Sequence, residues 1–322
     1  MERKKIIELL EPDWTAMQAL MSDMLYTDVP LLNRTNAAIF SNRGKMLRPM
    51  MSLLMARACG RLTEDSLRFA AASEMLHNAT LMHDDVADDS TERRGRPSVM
   101  SIIGPNSAVL VGDFWLAKAV EMVISAERHS SVMSLFSRTL SNLAEGEMLQ
   151  LQKASTADTE EEDYRRIIYC KTASLFEAAC VSAAISVDSP EAFREAARDY
   201  AVNAGIAFQI KDDILDYAGD DDLGKPVGVD IKEQKITLPL LGAILRSGSG
   251  QEIRDRIRDI HGHPEYCDEI RSFVAENGGI EYASSRLDEY ISKAEAALAP
   301  IHDRAEKEML VELVRYNAFR KV

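Results

Sequence analysis

Apolar residues recur along most of the chain at the spacing of buried α-helices. The segments RPMMSLLMARACG (48–60) and EDSLRFAAASEMLHNATLMHDDVAD (64–88) carry them at helical spacing or nearly all round. A helix that is apolar on nearly every side is buried among other helices. No segment alternates apolar and polar residues as a half-exposed strand does. The pattern therefore predicts an all-α protein, and the abundance of Ala, Leu, Met, Glu and Arg favours helices throughout.

The predicted helices are separated by short breaks rich in Gly, Pro, Ser and Asn. The breaks are IIGPNSA (102–108), KASTADTEEED (153–163), SVDSPEA (186–192), AGDDDLGKPVGVD (218–230), RSGSG (246–250), HGHPE (261–265) and ENGG (276–279). None is long enough to separate two domains. We therefore expect residues 1–322 to form a single domain, a bundle of about ten or more helices.

Two of the helical segments, ATLMHDDVAD (79–88) and AFQIKDDILD (207–216), end in the same pattern, D-D-x-x-D. The aspartates are Asp84, Asp85 and Asp88 in the first motif, and Asp212, Asp213 and Asp216 in the second. The first and last of each set lie on one helix face, and the middle one points about 100° away. Like charges at this spacing destabilise a helix. Aspartates at the C-terminal end of a helix are also unfavourable, because that end of the helix dipole is negative. A divalent cation offsets both effects, and Mg²⁺ binds carboxylates together with substrate phosphates.

Basic residues lie close to both aspartate motifs in the sequence. They are Arg93 and Arg94 after the first motif, Lys211, Lys225, Lys232 and Lys235 around the second, Lys45 and Arg48 in NRGKMLRP, and Lys171 in YCKTASLF. Arginine binds phosphate oxygens bidentately, and lysine binds them as a point charge. Each of these basic residues, taken singly, would be interpreted as an ordinary surface cation. A single acidic cluster would likewise be interpreted as the exposed end of a helix. Together they predict a diphosphate site that uses Mg²⁺, and His77, two turns before Asp84, lies within reach of it.

Charge and composition exclude several classes of protein. The chain has 38 basic and 52 acidic residues and a net charge of −14. This charge argues against a general nucleic-acid binder and against tight binding to an anionic membrane surface. The four cysteines form no CxxC pair, which is typical of reduced thiols in a cytoplasmic protein. No apolar run is long enough to span a membrane. P-loop, Rossmann, Ser-His-Asp and HExxH patterns do not occur.

From about residue 30 to the C-terminus, the chain resembles the trans-type polyprenyl diphosphate synthases, in particular the long-chain, octaprenyl-like subgroup. The resemblance rests on GKMLRP (44–49), EMLHNATLMHDDVADDSTERRGRPS (74–98), GDFWLAKA (112–119), GEMLQL (146–151), YCKTASLF (169–176), FQIKDDILDY (208–217) and DLGKPVGVDIKEQKITLPLL (222–241). One departure is NRGKMLRP, where the family commonly has GGKRLRP. Arg43 and Met46 differ from that pattern, while Lys45 and Arg48 remain.

The resemblance implies an all-α bundle around a deep central cavity, which is usually a homodimer. It implies an Mg²⁺-dependent prenyltransferase of the cytoplasm, with two to three ions in each active site. An allylic diphosphate such as farnesyl diphosphate ionises, the double bond of isopentenyl diphosphate attacks the cation, and a proton is lost. The expected product is a long all-trans polyprenyl diphosphate for a quinone side chain, with a transient membrane contact for its release.

The resemblance also assigns individual residues. Asp84, Asp88 and Asp212 would bind Mg²⁺, assisted by Asp85, Asp213 and Asp216. The allylic diphosphate would be held by Arg93, Lys171, Thr172, Gln209, Lys225 and Lys235, and isopentenyl diphosphate by Lys45, Arg48, His77 and Arg94. Lys171 and Lys225 are also expected to act in catalysis.

Product length should depend on the helix that ends at the first aspartate motif. Ala79 and Thr80 stand where short-chain members of the family commonly carry large aromatic residues, and Leu76, eight residues before Asp84, shares a helix face with Ala79 and Asp84. Small side chains here predict a cavity that stays open beyond the farnesyl length, although Ala79 would also be small if it only let helices pack closely. Three alternatives remain: a farnesyl or geranylgeranyl diphosphate synthase, a class I terpene cyclase, and a non-catalytic subunit of a heteromeric synthase.

Overall fold

The computed structural model describes residues 3–42, 44–93, 95–218, 227–248 and 250–319, and these residues are mostly helical. The helices are α1 (Arg3–Leu10), α2 (Asp13–Met24), α3 (Pro30–Ser41), α4 (Leu47–Cys59), α5 (Glu64–Ala87), α6 (Val99–Ile103), α7 (Pro105–Ile124), α8 (His129–Thr156), α9 (Glu161–Ile168), α10 (Ser174–Ser186), α11 (Glu191–Ala218), α12 (Val229–Lys232), α13 (Leu238–Ser247), α14 (Gly250–Arg258), α15 (Tyr266–Glu276), α16 (Gly279–Ala297) and α17 (Ala305–Phe319). A π-helical turn, Tyr169–Ala173, joins α9 to α10. The predicted all-α class is confirmed.

The described chain forms two compact units. Apart from the gaps given above, the first comprises Met1–Ser137, Ala178–Ala197 and Pro300–Leu310, and the second comprises Arg138–Glu177, Arg198–Ala299 and Val311–Val322. The first unit buries Phe69 and Trp115 in its core, and the second buries Ile210 and Leu240. The expectation that residues 1–322 form one domain around a central cavity stays a prediction.

Helices α4 and α5 confirm two elements that the hydrophobic pattern predicts. Every residue of α4 except Arg57 is buried, as its apolar composition requires. Helix α5 begins after Thr63, whose hydroxyl oxygen accepts a hydrogen bond of 3.4 Å from the backbone N–H of Ser66. This cap satisfies one of the N–H groups that a helix start leaves without a partner. The first aspartate motif therefore lies at the end of a well-anchored helix of 24 residues.

Just beyond α5, the described residues include a hairpin that the sequence pattern does not predict. Strands β1 (Glu92–Arg93) and β2 (Arg96–Pro97) pair antiparallel, and Gly95 at the turn has φ +72°. Glycine adopts this left-handed conformation without a steric penalty. Two-residue strands are too short to show any alternation of apolar and polar residues.

Among the described residues, one helical stretch, Glu161–Ser186, is long and apolar enough to cross a membrane. Its most apolar window is 89% buried inside the protein. That burial is typical of a core helix, because a membrane-spanning helix would expose its apolar side chains to lipid.

Candidate active site

The first aspartate motif ends α5 with three side chains in different environments. Asp84 is half-buried and Asp88 is exposed. Asp85 is only 2% exposed, and its Oδ1 accepts a hydrogen bond of 2.5 Å from Arg93 Nε. The predicted separation of Asp85 from the other two is therefore observed. The contact between Asp85 and Arg93 links the β1–β2 hairpin to α5 and places Arg93 beside the first aspartate motif.

The residues expected to bind isopentenyl diphosphate belong to the same unit as this motif. Lys45 is exposed and His77 is half-buried, whereas Arg48 is buried at 8% exposure. Arg94, the fourth, lies outside the described residues, as does Arg43 in the departing NRGKMLRP loop.

Several residues beside the predicted site have a left-handed backbone. They are Met46 (φ 51°) after Lys45, Asp89 (φ 49°) after Asp88, and Gln234 (φ 59°) before Lys235. A residue with a Cβ adopts this conformation at a cost of roughly 1–2 kcal/mol, and such strain is often found at functional sites. The sequence indicated that the loop before α4 departs from the family pattern at Met46, and the structure shows the strained conformation that this residue adopts there.

The residues expected to set product length lie on the buried side of α5. Ala79 is fully buried and Leu76 is 1% exposed, while the half-buried Thr80 donates its hydroxyl proton to the carbonyl of His77 at 2.9 Å. Burial of Ala79 is required both by a tunnel wall and by close helix packing. Its role therefore stays a prediction.

In the second unit, a pocket of about 160 Å³ collects five of the predicted site residues, namely Lys171, Thr172, Gln209, Asp213 and Lys235. Three of their side chains form a hydrogen-bonded chain. The hydroxyl of Thr172 donates to Gln209 Oε1 at 2.8 Å, and Gln209 Nε2 donates to Asp213 Oδ1 at 2.9 Å. The chain links a residue expected to bind diphosphate to the second aspartate motif.

Lys171 and Thr172 lie in the π-helical turn. The turn is closed by the backbone N–H of Ser174, which donates to the carbonyl of Tyr169, five residues earlier. Helix α8 approaches this turn closely at Gly146, and the neighbouring Glu147 forms an ion pair with Lys171. π-Helical turns are rare and occur frequently at functional sites.

The other two aspartates of the second motif are Asp212 and Asp216, and both are half-buried. The carboxylate of Asp216 accepts hydrogen bonds of 3.1 Å from the backbone N–H groups of Val229 and Asp230, which start α12. Asp216 therefore joins the end of α11 to the beginning of the segment that carries Lys235.

Two residues of this pocket, Tyr164 and Asp230, were not singled out from the sequence. Tyr164 donates its hydroxyl proton to Asp213 Oδ2 at 2.6 Å. Asp230 lies inside the quoted motif DLGKPVGVDIKEQKITLPLL, where an acidic residue among lysines was the available signal. For Tyr164 the available signal was its position seven residues, about two turns, before Lys171.

The charge in this region suits a divalent cation. Burial raises the pKa of Asp213 to about 7, although hydrogen bonds from Tyr164 and Gln209 act in the opposite direction. Burial also raises the pKa of Asp216. The pKa of Asp230 is raised by burial and then by the carboxylates of Asp213 and Asp216. Burial disfavours the ionised form of each of these carboxylates, and a divalent cation bound beside them would favour that form.

No three His, Cys, Asp or Glu side chains of the described ranges are grouped closely enough to hold a metal ion by themselves. Mg²⁺ commonly takes one or two carboxylates and completes its oxygen ligands with phosphates and water. The donor set therefore fits an ion that binds together with a diphosphate. Lys225, a further predicted diphosphate ligand, lies outside the described residues.

Comparisons with known proteins identify the family. A family model for polyprenyl synthetase matches residues 29–275. The octaprenyl diphosphate synthase of Haemophilus influenzae is 37% identical over 98% of this chain and 96% of its own length. An all-trans-nonaprenyl-diphosphate synthase (geranyl-diphosphate specific) of Rhodobacter capsulatus is 38% identical over 97% and 96%, respectively.

Among solved structures, a polyprenyl synthase from Caulobacter crescentus CB15, complexed with calcium and isoprenyl diphosphate, superposes with a TM-score of 0.91. It is 35% identical and covers 100% of this chain and 98% of its own. The matched region includes both aspartate motifs and every basic residue named above. The chain therefore belongs to the polyprenyl synthetase family and is a prenyltransferase.

Proposed function

We propose that this protein condenses isopentenyl diphosphate with an allylic diphosphate, such as farnesyl diphosphate, to make a long all-trans polyprenyl diphosphate for a quinone side chain. The observation that carries the proposal is the similarity to octaprenyl and nonaprenyl diphosphate synthases over nearly the whole chain. The small residues Ala79 and Thr80 on α5 support a long product.

Each substrate would be bound by a separate set of basic and polar side chains. Arg93, Lys171, Thr172, Gln209, Lys225 and Lys235 would hold the allylic diphosphate, and Lys45, Arg48, His77 and Arg94 would hold isopentenyl diphosphate. Because Lys171 is paired with Glu147 and Lys235 with Glu233, both lysines already point at acidic oxygens. A diphosphate that enters the pocket would compete for the same ammonium groups.

Asp84, Asp88 and Asp212 would hold two to three Mg²⁺ ions, with Asp85, Asp213 and Asp216 supporting them. When bound, these ions supply the positive charge that stabilises the leaving diphosphate. The cations of the protein act in the same direction, because they neutralise charge that grows on the departing oxygens. Apolar walls exclude water from the allylic cation. The departing diphosphate then accepts the proton that the condensed product loses.

The decisive experiment is an assay of the purified chain with Mg²⁺, labelled isopentenyl diphosphate and farnesyl diphosphate, followed by chromatography. We expect a linear product of about octaprenyl length. A product that stops at farnesyl or geranylgeranyl diphosphate would identify a short-chain synthase, and a cyclic hydrocarbon would identify a terpene cyclase. Absence of turnover would favour the non-catalytic subunit.

Variants of the aspartate motifs test the proposed metal ligands. Asp84→Ala and Asp212→Ala should each lower the rate by on the order of a thousandfold, because charge on the leaving diphosphate is then poorly offset. Asp288→Ala, at an exposed aspartate of α16, is the matched control and should remain within twofold of wild type. Rates within tenfold of wild type for both motif variants would refute the assignment.

We also propose a cytoplasmic homodimer that contacts the membrane transiently to release its product. Large apolar side chains support a protein interface, since Leu110 on α7 and Met148 on α8 are each 67% exposed. Light scattering after size exclusion should give twice the mass of the chain. Leu110→Glu should shift the protein toward the monomer, and a wild-type monomer would refute the dimer.

A further inference from the structure

The side chain of Tyr164 is buried against the second aspartate motif. It belongs to α9, is 3% exposed, and donates its hydroxyl proton to Asp213 Oδ2 at 2.6 Å. The other oxygen of the same carboxylate accepts from Gln209. Among the described residues, Asp213 therefore has one donor on each carboxylate oxygen, one from α9 and one from α11, and these two bonds fix the plane of the carboxylate.

We propose that Tyr164 is a positioning residue, which holds the Asp213 carboxylate so that the second aspartate motif binds Mg²⁺ and diphosphate. The inference rests on the proposed function and assigns to Tyr164 a role that the motifs in the sequence do not indicate. Without the phenolic hydroxyl, the bond from Gln209 would remain, and the carboxylate could rotate about it.

The orientation of Gln209 depends in turn on Thr172. Because the Thr172 hydroxyl donates to Gln209 Oε1, the amide group directs its N–H₂ toward Asp213. Thr172, Gln209, Asp213 and Tyr164 thus form one continuous chain of hydrogen bonds that spans the pocket wall. Hydrogen bonds to an ionised carboxylate are stronger than those between neutral groups. Loss of the Tyr164 hydroxyl should therefore change the orientation of Asp213 in the second aspartate motif.

Tyr164 also forms part of the wall of the pocket that Lys171 lines. Phenylalanine would keep that wall and remove only the donor.

The chain offers a matched control in Tyr282 of α16. Its hydroxyl also donates to a carboxylate oxygen at 2.6 Å, in this case Oε2 of Glu161 on α9. Tyr282 is not among the residues that line the pocket. Tyr164→Phe and Tyr282→Phe therefore remove the same atom and a hydrogen bond of the same length, but only Tyr164→Phe removes it from the aspartate motif.

The first measurement is the Mg²⁺ concentration that gives half-maximal prenyl transfer. It should rise about tenfold in Tyr164→Phe, a change that corresponds to ~1.4 kcal/mol, while the KM for isopentenyl diphosphate stays within twofold. Tyr282→Phe should leave the Mg²⁺ requirement unchanged. If Tyr164→Phe loses activity without a higher Mg²⁺ requirement, or matches Tyr282→Phe in both quantities, the proposal is overturned.

The second measurement does not depend on turnover. Calorimetric titration with inorganic diphosphate in the presence of Mg²⁺ should show about tenfold weaker binding by Tyr164→Phe than by wild type. In an Asp213→Asn background, adding Tyr164→Phe should change this affinity by less than twofold, because a residue that acts through Asp213 has nothing left to position. Independent, additive effects would overturn the proposal.

Different results would refute the proposed function and the positioning role of Tyr164. A wild-type protein that binds Mg²⁺ and diphosphate but makes no prenyl product would refute the proposed function and leave the role of Tyr164 measurable by calorimetry. An active wild type whose Tyr164→Phe variant binds diphosphate normally would refute the positioning role alone.

Discussion

Replacing Gly146 by alanine should displace Lys171 and lower activity strongly, while it lowers the stability of the fold only slightly. Gly146 lies on α8, where that helix approaches the π-helical turn. A Cβ built at this position would lie 2.6 Å from the Cβ of Cys170, 2.9 Å from Cγ of Lys171 and 3.1 Å from its backbone nitrogen. Since one of these neighbours is backbone, rotation of a side chain cannot relieve the clash. The turn or the helix must move.

The magnitude follows from two opposing effects. Overpacking of a tightly packed site costs roughly 1–3 kcal/mol, whereas replacing glycine by alanine inside a helix gains about 1 kcal/mol. The net loss of stability should therefore be about 0–2 kcal/mol, and the melting temperature should fall by at most about 8 °C. Activity is more sensitive, because displacing a binding group by about 1 Å can cost a hundredfold in rate.

We therefore expect kcat/KM for the allylic substrate to fall by about a hundredfold in Gly146→Ala. The measurement is steady-state kinetics together with thermal unfolding. Gly262→Ala is the control, since a Cβ at Gly262 would meet nothing nearer than a carbonyl oxygen at 3.6 Å. It should keep both activity and melting temperature. A Gly146→Ala enzyme within twofold of wild-type kcat/KM would refute the reasoning.

Ala79→Phe should shorten the product while the first condensations continue, as chromatography would show; loss of stability with unchanged product length would instead indicate a packing role. Arg93→Ala should mainly raise the KM for the allylic substrate and Arg94→Ala that for isopentenyl diphosphate, and equal effects on both substrates would contradict this division. Burial raises the pKa of Cys59 to about 12 and also raises that of Cys180. Because a raised pKa disfavours the reactive thiolate, mass spectrometry should find both cysteines unmodified by iodoacetamide at pH 8 until the protein is unfolded.

Helix positions could be predicted from the sequence where burial repeats along the chain. The segments 48–60 and 64–88 were predicted as helices, and α4 and α5 occupy 47–59 and 64–87. Their boundaries are signalled locally, because Thr63 is a suitable cap and Gly60 interrupts the helix. The two aspartate motifs were also visible, since their spacing of four residues places charges on one helix face.

The contacts that organise the pocket could not be predicted in this way. Tyr164 donates to a carboxylate 49 positions away along the chain, and no local pattern records such a pairing. Asp230 is visible in the sequence only as an acidic residue among lysines, and its half-buried position close to Asp213 and Asp216 depends on the fold. The sequence also suggested Lys171 as a diphosphate ligand, but its pairing with Glu147 depends on how α8 packs against the π-helical turn.

The π-helical turn has a consequence for how this chain can tolerate changes in length. An α-helix advances about 100° per residue, so one extra residue rotates everything that follows by that angle. Between Tyr169 and Ala173 the extra residue is taken up in a single wider turn, and the apolar positions of α9 and α10 are consequently out of phase with each other. Deleting one residue from this turn should not simply shorten a helix. It should restore a regular α-helix with one continuous phase, rotate Thr172 away from Gln209, and leave the buried face of α10 in place.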